Sequence, residues 1–369
     1  MVIKKQILKS FRNYRSREIN FSDGINFITG NNGSGKSNIL ESISITSNLK
    51  SFRGSADPDI IQWGSNSYYC QSVVENDAER VFEVGCAEIN NKYHKKAKID
   101  GFEVRKSSAY FGKLLTVIFT PDDIDIINGP PELRRRFFDS LISRIKPDYL
   151  EKLIDLKRIL LSRNRLLRKL KESGKFDSDE LSIWDDMFSS CAELIVKQRT
   201  GFIKEFSPLF GNSYNSISGG EYSPFVEYSS ELMELSKDDI IIRLKNSRFR
   251  DISRCATTIG PQRDDYKLFV ETGKSVISFF SQGQKRSACI SLKISEKKII
   301  EMTTGKKAVI LVDDIFSELD NTRRHHLIDL LRYGNQVIFT MIDSSSIDDF
   351  KNSEVKRFHI VNNGELIEK

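Results

Sequence analysis

The sequence predicts a mixed α/β head built from both ends of the chain and interrupted by an α-helical lobe. Three observations carry that prediction. A glycine-rich loop at residues 30–37 lies between a strand-like apolar run and a helix-like one. A second apolar run, 308–312, ends in Asp313-Asp314. Between the two lies a long stretch rich in Leu, Arg and Lys, with apolar residues three and four apart.

Taken in order, the first third reads as short strands, at 3–8, at 25–29 and as a pair around Lys98-Ile99-Asp100-Gly101-Phe102. Asp-Gly suits a tight hairpin, because both central residues of such a turn need positive φ. Strands dominate to about Phe119, and Pro121-Asp122-Asp123 then opens helical territory. Leu150, Ile154, Leu161 and Leu166-Leu167 have the spacing that lays apolar side chains along one helix face. Gly174 marks a turn, and a second amphipathic helix is expected at about 179–206. No heptad pattern lasts long enough for an extended coiled coil. Strand-like segments return after Pro261, followed by helix from Gln284, strand 307–312, helix from Asn321 and strand 336–340. The expected division is a head over 1–120 and 246–369 with a mainly helical insertion over 121–245.

The 369 residues, 39% hydrophobic and 29% charged, suffice for two or three domains with real cores. The longest apolar runs fall far short of the roughly 18 residues that cross a bilayer. Met1-Val2-Ile3-Lys4-Lys5 turns charged before a signal-peptide core can develop, so a cytoplasmic protein without membrane contact is expected. Cys70, Cys86, Cys191, Cys255 and Cys289 lack CxxC spacing and read as free thiols. His94, His325, His326 and His359 include no i, i+4 pair, which leaves a zinc site little support. His325 and His326 are expected on the exposed part of a helix, whereas Trp63 and Trp184 could each be buried or stacked. The 57 Lys+Arg exceed the 51 Asp+Glu by six, an excess that permits nucleic-acid binding without demanding it.

Gly30-Asn31-Asn32-Gly33-Ser34-Gly35-Lys36-Ser37 satisfies the P-loop pattern, with a strand before it and a helix after. Glycines there let backbone N–H groups wrap phosphate oxygens, and the helix N-terminus adds its dipole. Lys36 is expected to bridge the β and γ phosphates of ATP, and Ser37 to ligate Mg2+. A P-loop also needs a carboxylate on a neighbouring strand. Asp313 is placed to hold Mg2+ through water, and Asp314 to polarise the attacking water as the catalytic carboxylate. By itself an apolar strand ending in two acids is ambiguous, since acids also cap strands. Ser281-Gln282-Gly283-Gln284 precedes a helix roughly 30 residues before Asp313, the order of an ABC signature motif. Ser281, Gly283 and Gln284 would there form an anion site for the γ-phosphate held by a second subunit. A plain helix cap is the other reading of the same residues. The three elements together predict an α/β fold, a P-loop ABC-ATPase-like head with mixed sheets and an inserted α-helical lobe.

Seven segments now resemble the RecF family, in the family's order and nearly end to end. They are Phe11-Arg12-Asn13-Tyr14, the P-loop, Phe119-Thr120-Pro121-Asp122-Asp123, Arg134-Arg135-Arg136-Phe137-Phe138-Asp139, Gly260-Pro261-Gln262-Arg263-Asp264-Asp265, Ser281-Gln282-Gly283-Gln284 and Asp313-Asp314-Ile315-Phe316-Ser317-Glu318-Leu319-Asp320. The resemblance implies an ATPase head related to the structural-maintenance-of-chromosomes proteins, without their long coiled coil. It implies an ATP-dependent homodimer on DNA, both duplex and gapped junctions, that acts with RecR and RecO to place RecA at single-strand gaps in recombinational repair and replication restart. It further implies Arg12 and Asn13 near the nucleotide, a D-loop at 316–320 crossing the dimer interface, and Thr340 as the switch that senses γ-phosphate. On residue grounds Arg12 and Asn13 could equally cap a strand end. The sequence departs from the family at Ser37, where Thr is common, and at Gln262, where His is common. Serine keeps the hydroxyl that Mg2+ needs, whereas Gln262 removes a titrating imidazole. Asp314 is one methylene shorter than the Glu of most ABC ATPases, and slow turnover is expected from the harder reach to water.

Arg134-Arg135-Arg136, with Arg163, Arg165, Arg168, Lys169 and Lys171, could meet DNA phosphates or form a solvated face. Other function classes fit less well. A transporter subunit would share the three motifs, but not the basic insertion or the about 245 residues between P-loop and signature. A chromosome-organising ATPase that tethers DNA is the alternative within the superfamily, and the lack of heptads argues against long reach. A nuclease-linked ATPase of the overcoming-lysogenisation type needs an acidic nuclease domain for which the chain has no room.

Overall fold

The structure, a computed structural model, describes residues 1–315, 334–342, 355–361 and 365–368. In chain order its strands are β1 (Val2–Phe11), β2 (Tyr14–Asn20), β3 (Ile25–Thr29), β4 (Ser67–Glu75), β5 (Glu79–Ile89), β6 (Lys92–Ile99), β7 (Phe102–Glu103), β8 (Thr116–Phe119), β9 (Phe225–Ser229), β10 (Asp265–Phe269), β11 (Val309–Asp313), β12 (Val337–Met341), β13 (Val355–Val361) and β14 (Glu365–Glu368). The α-helices are α1 (Lys36–Asn48), α2 (Asp57–Ile60), α3 (Ser107–Tyr110), α4 (Asp125–Asn128), α5 (Pro131–Ile145), α6 (Pro147–Glu172), α7 (Asp179–Ser218), α8 (Lys237–Arg254), α9 (Val276–Phe279) and α10 (Gln282–Thr304). Two compact units share them: Met1–Ile124 with Ile217–Gly219 and Arg286–Lys369, and Asp125–Ser216 with Gly220–Lys285.

The first unit holds two six-stranded sheets. One is antiparallel, in the order β2-β1-β4-β5-β6-β7, and β4 alternates its side chains between a buried and a half-buried face. Its β6–β7 turn is the expected Asp-Gly hairpin, with φ of 55° at Asp100 and 82° at Gly101. The other runs β14-β13-β3-β12-β11-β8 and is parallel except for its β13–β14 edge pair. Strands β3, β11 and β12 are buried at every position, which is why they read as unbroken apolar runs.

Helix α1 packs against β1, β4 and β5 of the first sheet and β8, β11 and β12 of the second. It is therefore covered on nearly all sides, and Glu41, Ser42, Ser44, Thr46 and Ser47 are as buried as Ile39, Leu40, Ile43 and Ile45. An unmatched buried hydroxyl costs about 1–3 kcal/mol, and here the hydroxyls are matched. Gln6 Nε2 donates to Ser42 Oγ at 2.9 Å, Ser72 Oγ donates to Gln6 Oε1 at 2.5 Å, and the Thr46 and Ser72 hydroxyls lie 2.6 Å apart. Ser47 and Thr116 share a further bond of 2.9 Å.

The second unit is mainly helical. Proline stands in the first turn of both α5 and α6, where its missing N–H has no intrahelical partner to lose. Helix α7 starts at the expected Asp179 but runs on to Ser218 in spite of Pro208. Helix α8 opens with a capping box, in which Asp239 N donates to Ser236 Oγ and Ser236 N to Asp239 Oδ2. The strand after Pro261 is β10, and it pairs with β9 from Phe269↔Phe225 to Asp265↔Ser229.

Three arginines anchor this unit's interior. Arg163, fully buried, donates to Asp185 and Asp251 at 2.8 Å each. Arg199 donates to both Asp139 oxygens, at 3.1 and 2.9 Å, and to Asp264 at 3.0 Å. Arg134 is likewise buried and grips Asp265 bidentately, at 2.8 and 3.0 Å. Arg134 and Arg163 thus face neither DNA nor solvent, because each meets a carboxylate within the fold. Arg136, Arg165, Arg168 and Lys169 are exposed.

Trp184 packs against Leu166, Leu167, Leu170, Leu181 and Ile252, whereas Trp63 is 99% exposed. All five cysteines are free thiols. Among the described residues no helix is long and apolar enough to cross a membrane, and no cluster of His, Cys, Asp and Glu could hold a metal ion by itself. The expected helix from Asn321, the segment 316–320, His325 and His326 lie outside the described residues.

Candidate nucleotide-binding site

In an open parallel sheet, ligands bind beyond the carboxyl ends of the strands. Strand β3 lies between β13 and β12, and β12 separates it from β11. The register sets Asp313 opposite Thr340 and Met341 opposite Thr29, so the ends of β3, β12 and β11 form one row. The loop 30–35 leaves β3 there and enters α1 directly at Lys36.

The loop's conformation depends on glycine. Gly33 has φ 78° and Gly35 φ 110°, values that L side chains rarely adopt. At Gly35 space also forbids a side chain, because a Cβ would lie 2.6 Å from Asn13 Nδ2 and 2.8 Å from the Tyr14 hydroxyl oxygen. Those two residues belong to the β1–β2 hairpin, whose tip meets the loop. Asn13 Nδ2 donates to Ser34 O at 3.1 Å, Asn38 Nδ2 donates to Asn13 Oδ1 at 2.8 Å, and the Tyr14 hydroxyl donates to Gly35 O at 3.2 Å.

Arg12 is used differently. With φ 53° at the hairpin tip, it sends its guanidinium to buried Glu41 on α1 through two bonds of 2.9 and 2.7 Å, and to Asp59 O and Ser55 Oγ. Asn13 therefore touches the phosphate loop directly, while the Arg12 side chain braces α1 behind it. Glu41 was not singled out by sequence, because its importance lies in a partner 29 positions away.

Lys36 is 5% exposed and donates to Gly30 O at 2.7 Å and Asn31 O at 2.9 Å. Burial pushes its ammonium below the ordinary lysine value, and the nearby carboxylates of Asp314 and Asp313 push it back up. Asp313 is buried, and its Oδ1 accepts from the Thr340 hydroxyl at 2.7 Å. That hydroxyl accepts in turn from Asp314 N at 3.1 Å. Asp314 has φ 47°, a conformation that turns the chain sharply at the strand end. Arg53 also reaches the row: one nitrogen stands 3.9 Å from Asp313 Oδ2 and another donates to Asn38 Oδ1 at 3.2 Å. No sequence pattern marks Arg53.

On neighbouring β8, which pairs with β11, the segment continues into Asp123. Asp123 Oδ2 accepts from Thr120 N at 2.7 Å, and burial pushes its carboxyl up to about 6 against the pull of Lys293 and that N–H.

The signature segment lies in the second unit at the start of α10. Gln284 N donates to Ser281 Oγ at 3.3 Å and Ser281 N donates to Gln284 Oε1 at 2.9 Å, a reciprocal cap. Gln284 Nε2 further donates to Glu221 at 3.1 Å.

Residues 2–364 match the family model of the RecF/RecN/SMC N-terminal domain. A protein of Leptospira interrogans named DNA replication and repair protein RecF is 34% identical over 370 residues, which is 99% of each chain. The chain belongs to the RecF family. A RecF of Listeria monocytogenes is 32% identical over 98% of both chains. The solved structure of the recombination mediator protein RecF with ATP superposes with a TM-score of 0.90 at 32% identity, over 100% of this chain and 97% of that one. An Smc head bound to a domain of ScpA, 16% identical, has a TM-score of 0.57 and shows a shared fold. RecF membership therefore brings the ABC-type ATPase head, as the sequence predicted.

The RecF loop of this chain fits a bound triphosphate on its own geometry. A side chain at Gly35 is excluded, the Ser34 hydroxyl is buried without a hydrogen-bond partner among the described residues, and Lys36 donates to two backbone carbonyls that a phosphate oxygen can replace. For Mg2+ the oxygen donors are of the right hard class, a hydroxyl at Ser37 and a carboxylate at Asp313.

Proposed function

We propose that this chain is an ATP-dependent DNA-binding clamp of recombinational repair and replication restart, which dimerises on DNA with ATP and is released by slow hydrolysis. The observation that carries the reading is the convergence of the P-loop, Asp313 and Asp314 at one end of the parallel sheet, with Lys36 sensing both carboxylates. Residues Gly30 to Ser37 would wrap the phosphates, and Lys36 would exchange its two carbonyl partners for phosphate oxygens. Ser37 and Asp313 would hold Mg2+, which supplies positive charge against the charge that builds on the transferring phosphoryl group. Asp314 would orient and polarise the attacking water.

In the dimer, Ser281 with Gly283 and Gln284 of one subunit would close over the γ-phosphate held by the other. The N-terminus of a 23-residue helix supports that role, since its first N–H groups and dipole favour an anion. The relatives named RecF and the structures described as belonging to a RecFOR pathway support RecO and RecR as partners, and the loading of RecA at single-strand gaps is part of the same proposal.

Light scattering tests the reading. The wild type, Ser281→Arg and Asp314→Asn are measured with and without ATP and duplex DNA. Dimers should form only with ATP, fail to form in Ser281→Arg and persist in Asp314→Asn. A wild type that stays monomeric with ATP and DNA present overturns the clamp.

A further inference from the structure

The helical unit pairs most of its interior arginines with carboxylates: Arg134 with Asp265, Arg163 with Asp185 and Asp251, Arg199 with Asp139 and Asp264, and Arg248 with Asp185. Two others, half-buried Arg135 and exposed Arg263, stand together without such a pair. Arg135 and Arg263 line a recess of about 510 Å3 and have no carboxylate partner among the described residues. Arg135 gives one nitrogen to Asp264 O at 2.6 Å, and Arg263 is exposed.

The recess wall is of mixed chemistry. Pro131 and Leu160 give it an apolar side, Asn164 an amide, and Glu132 its one carboxylate. Asn164 uses Oδ1 to accept from Thr257 N and Oγ1, both at 2.8 Å, which fixes its side chain and leaves the Nδ2 donors for a ligand. Helical spacing extends the positive charge, because Lys157 and Arg168, both exposed, stand on the α6 face of Leu160 and Asn164, three residues before the one and four after the other.

We infer that this recess holds one nucleotide of a DNA strand, its phosphate on Arg135 and Arg263 and its sugar and base against Pro131 and Leu160. An anion alone would need no apolar wall, and an apolar ligand would gain nothing from two unmatched guanidiniums; a nucleotide uses both. Lys157 and Arg168 then meet the phosphates on either side, which a free mononucleotide lacks, so a strand is the favoured source. The inference rests on the DNA-binding reading above and names part of its contact surface.

The test measures fluorescence anisotropy of a labelled gapped duplex with the full chain, ATP and Mg2+, across a salt series. Arg263→Gln and the double variant Arg135→Gln/Arg263→Gln are compared with the wild type. Each lost phosphate contact should lower the slope of log affinity against log salt by about one, and the double variant should bind about tenfold more weakly at physiological salt. Melting temperatures check folding. Should Arg135→Gln melt early through loss of its Asp264 bond, Arg263→Gln, which removes no internal partner, decides alone. Wild-type binding with an unchanged slope in a folded Arg263→Gln variant overturns this inference and leaves the clamp standing. A wild type that binds no DNA overturns both. Competition by dAMP at a concentration equal in nucleotides to the strand, as effective as the strand itself, overturns the strand in favour of a mononucleotide site.

Discussion

At the scale of single residues, the site was legible where chemistry is written into spacing. Eight consecutive positions sufficed to place the phosphate loop, because glycine conformations and the following lysine act locally. Gly35 tests how tightly the loop is built. Gly35→Ala forces a left-handed backbone on an L residue and drives a methyl into Asn13 and Tyr14. We predict a loss of stability of about 1–3 kcal/mol and no measurable ATP binding in calorimetry; a variant that binds ATP like the wild type shows that the loop relaxes freely. Arg12 and Arg53 mark the limit of residue-level reading. Arg12, expected near the nucleotide or as a strand-end cap, holds Glu41, while Arg53, which no sequence pattern marks, lies beside Asp313. In both cases the deciding partner is distant in sequence.

At the scale of elements, strands β3, β11 and β12 were legible because a strand buried on both faces leaves an unbroken apolar run. Strand β9 was not, since only its pairing with β10, 44 residues later at Phe225↔Phe269 and 36 later at Ser229↔Asp265, makes it a strand. Helix α8 carries a start signal in the capping box of Ser236 and Asp239. Charge was the hardest property to place. A basic run on a helix has no sign that tells a buried member from a solvated one, and Arg163 meets acids 22 and 88 positions away. Arg163→Ala should strip buried Asp251 of its counter-charge, leave Asp185 with Arg248 alone, and cost about 3–5 kcal/mol. Arg165→Ala, at an exposed position of the same helix, should cost no more than about 0.5 kcal/mol. Urea unfolding of the two variants checks the contrast, and equal costs would mean that the Arg163 network contributes nothing specific.

At the scale of the whole molecule, each unit carries its own apolar cluster, one spanning Ile3 to Phe358 and the other centred on Leu166, Leu167, Leu170, Leu181 and Ile252. Calorimetry should therefore resolve two unfolding transitions. ATP at a hundred times its dissociation constant should raise the one belonging to the P-loop unit by about 2.7 kcal/mol. A single transition that shifts as a whole would show that the units unfold together. That both chain ends build one unit was readable from where the motifs fall. Where the insertion ends was not, because β10 joins the second unit through β9 and not through any local signal.

One atom in that P-loop unit has a tighter economy than its neighbours. A hydroxyl owns a single hydrogen, and Thr340 has committed its own to Asp313 while taking one from the Asp314 amide. It cannot give that hydrogen to a phosphate oxygen and keep Asp313 at the same time. Whatever claims the Thr340 proton must leave one oxygen of the Asp313 carboxylate in need of a new donor, and the same rotation tugs on the Asp314 peptide. The two acids at the end of β11 thereby share one hydroxyl, and a group that takes its proton is felt by both.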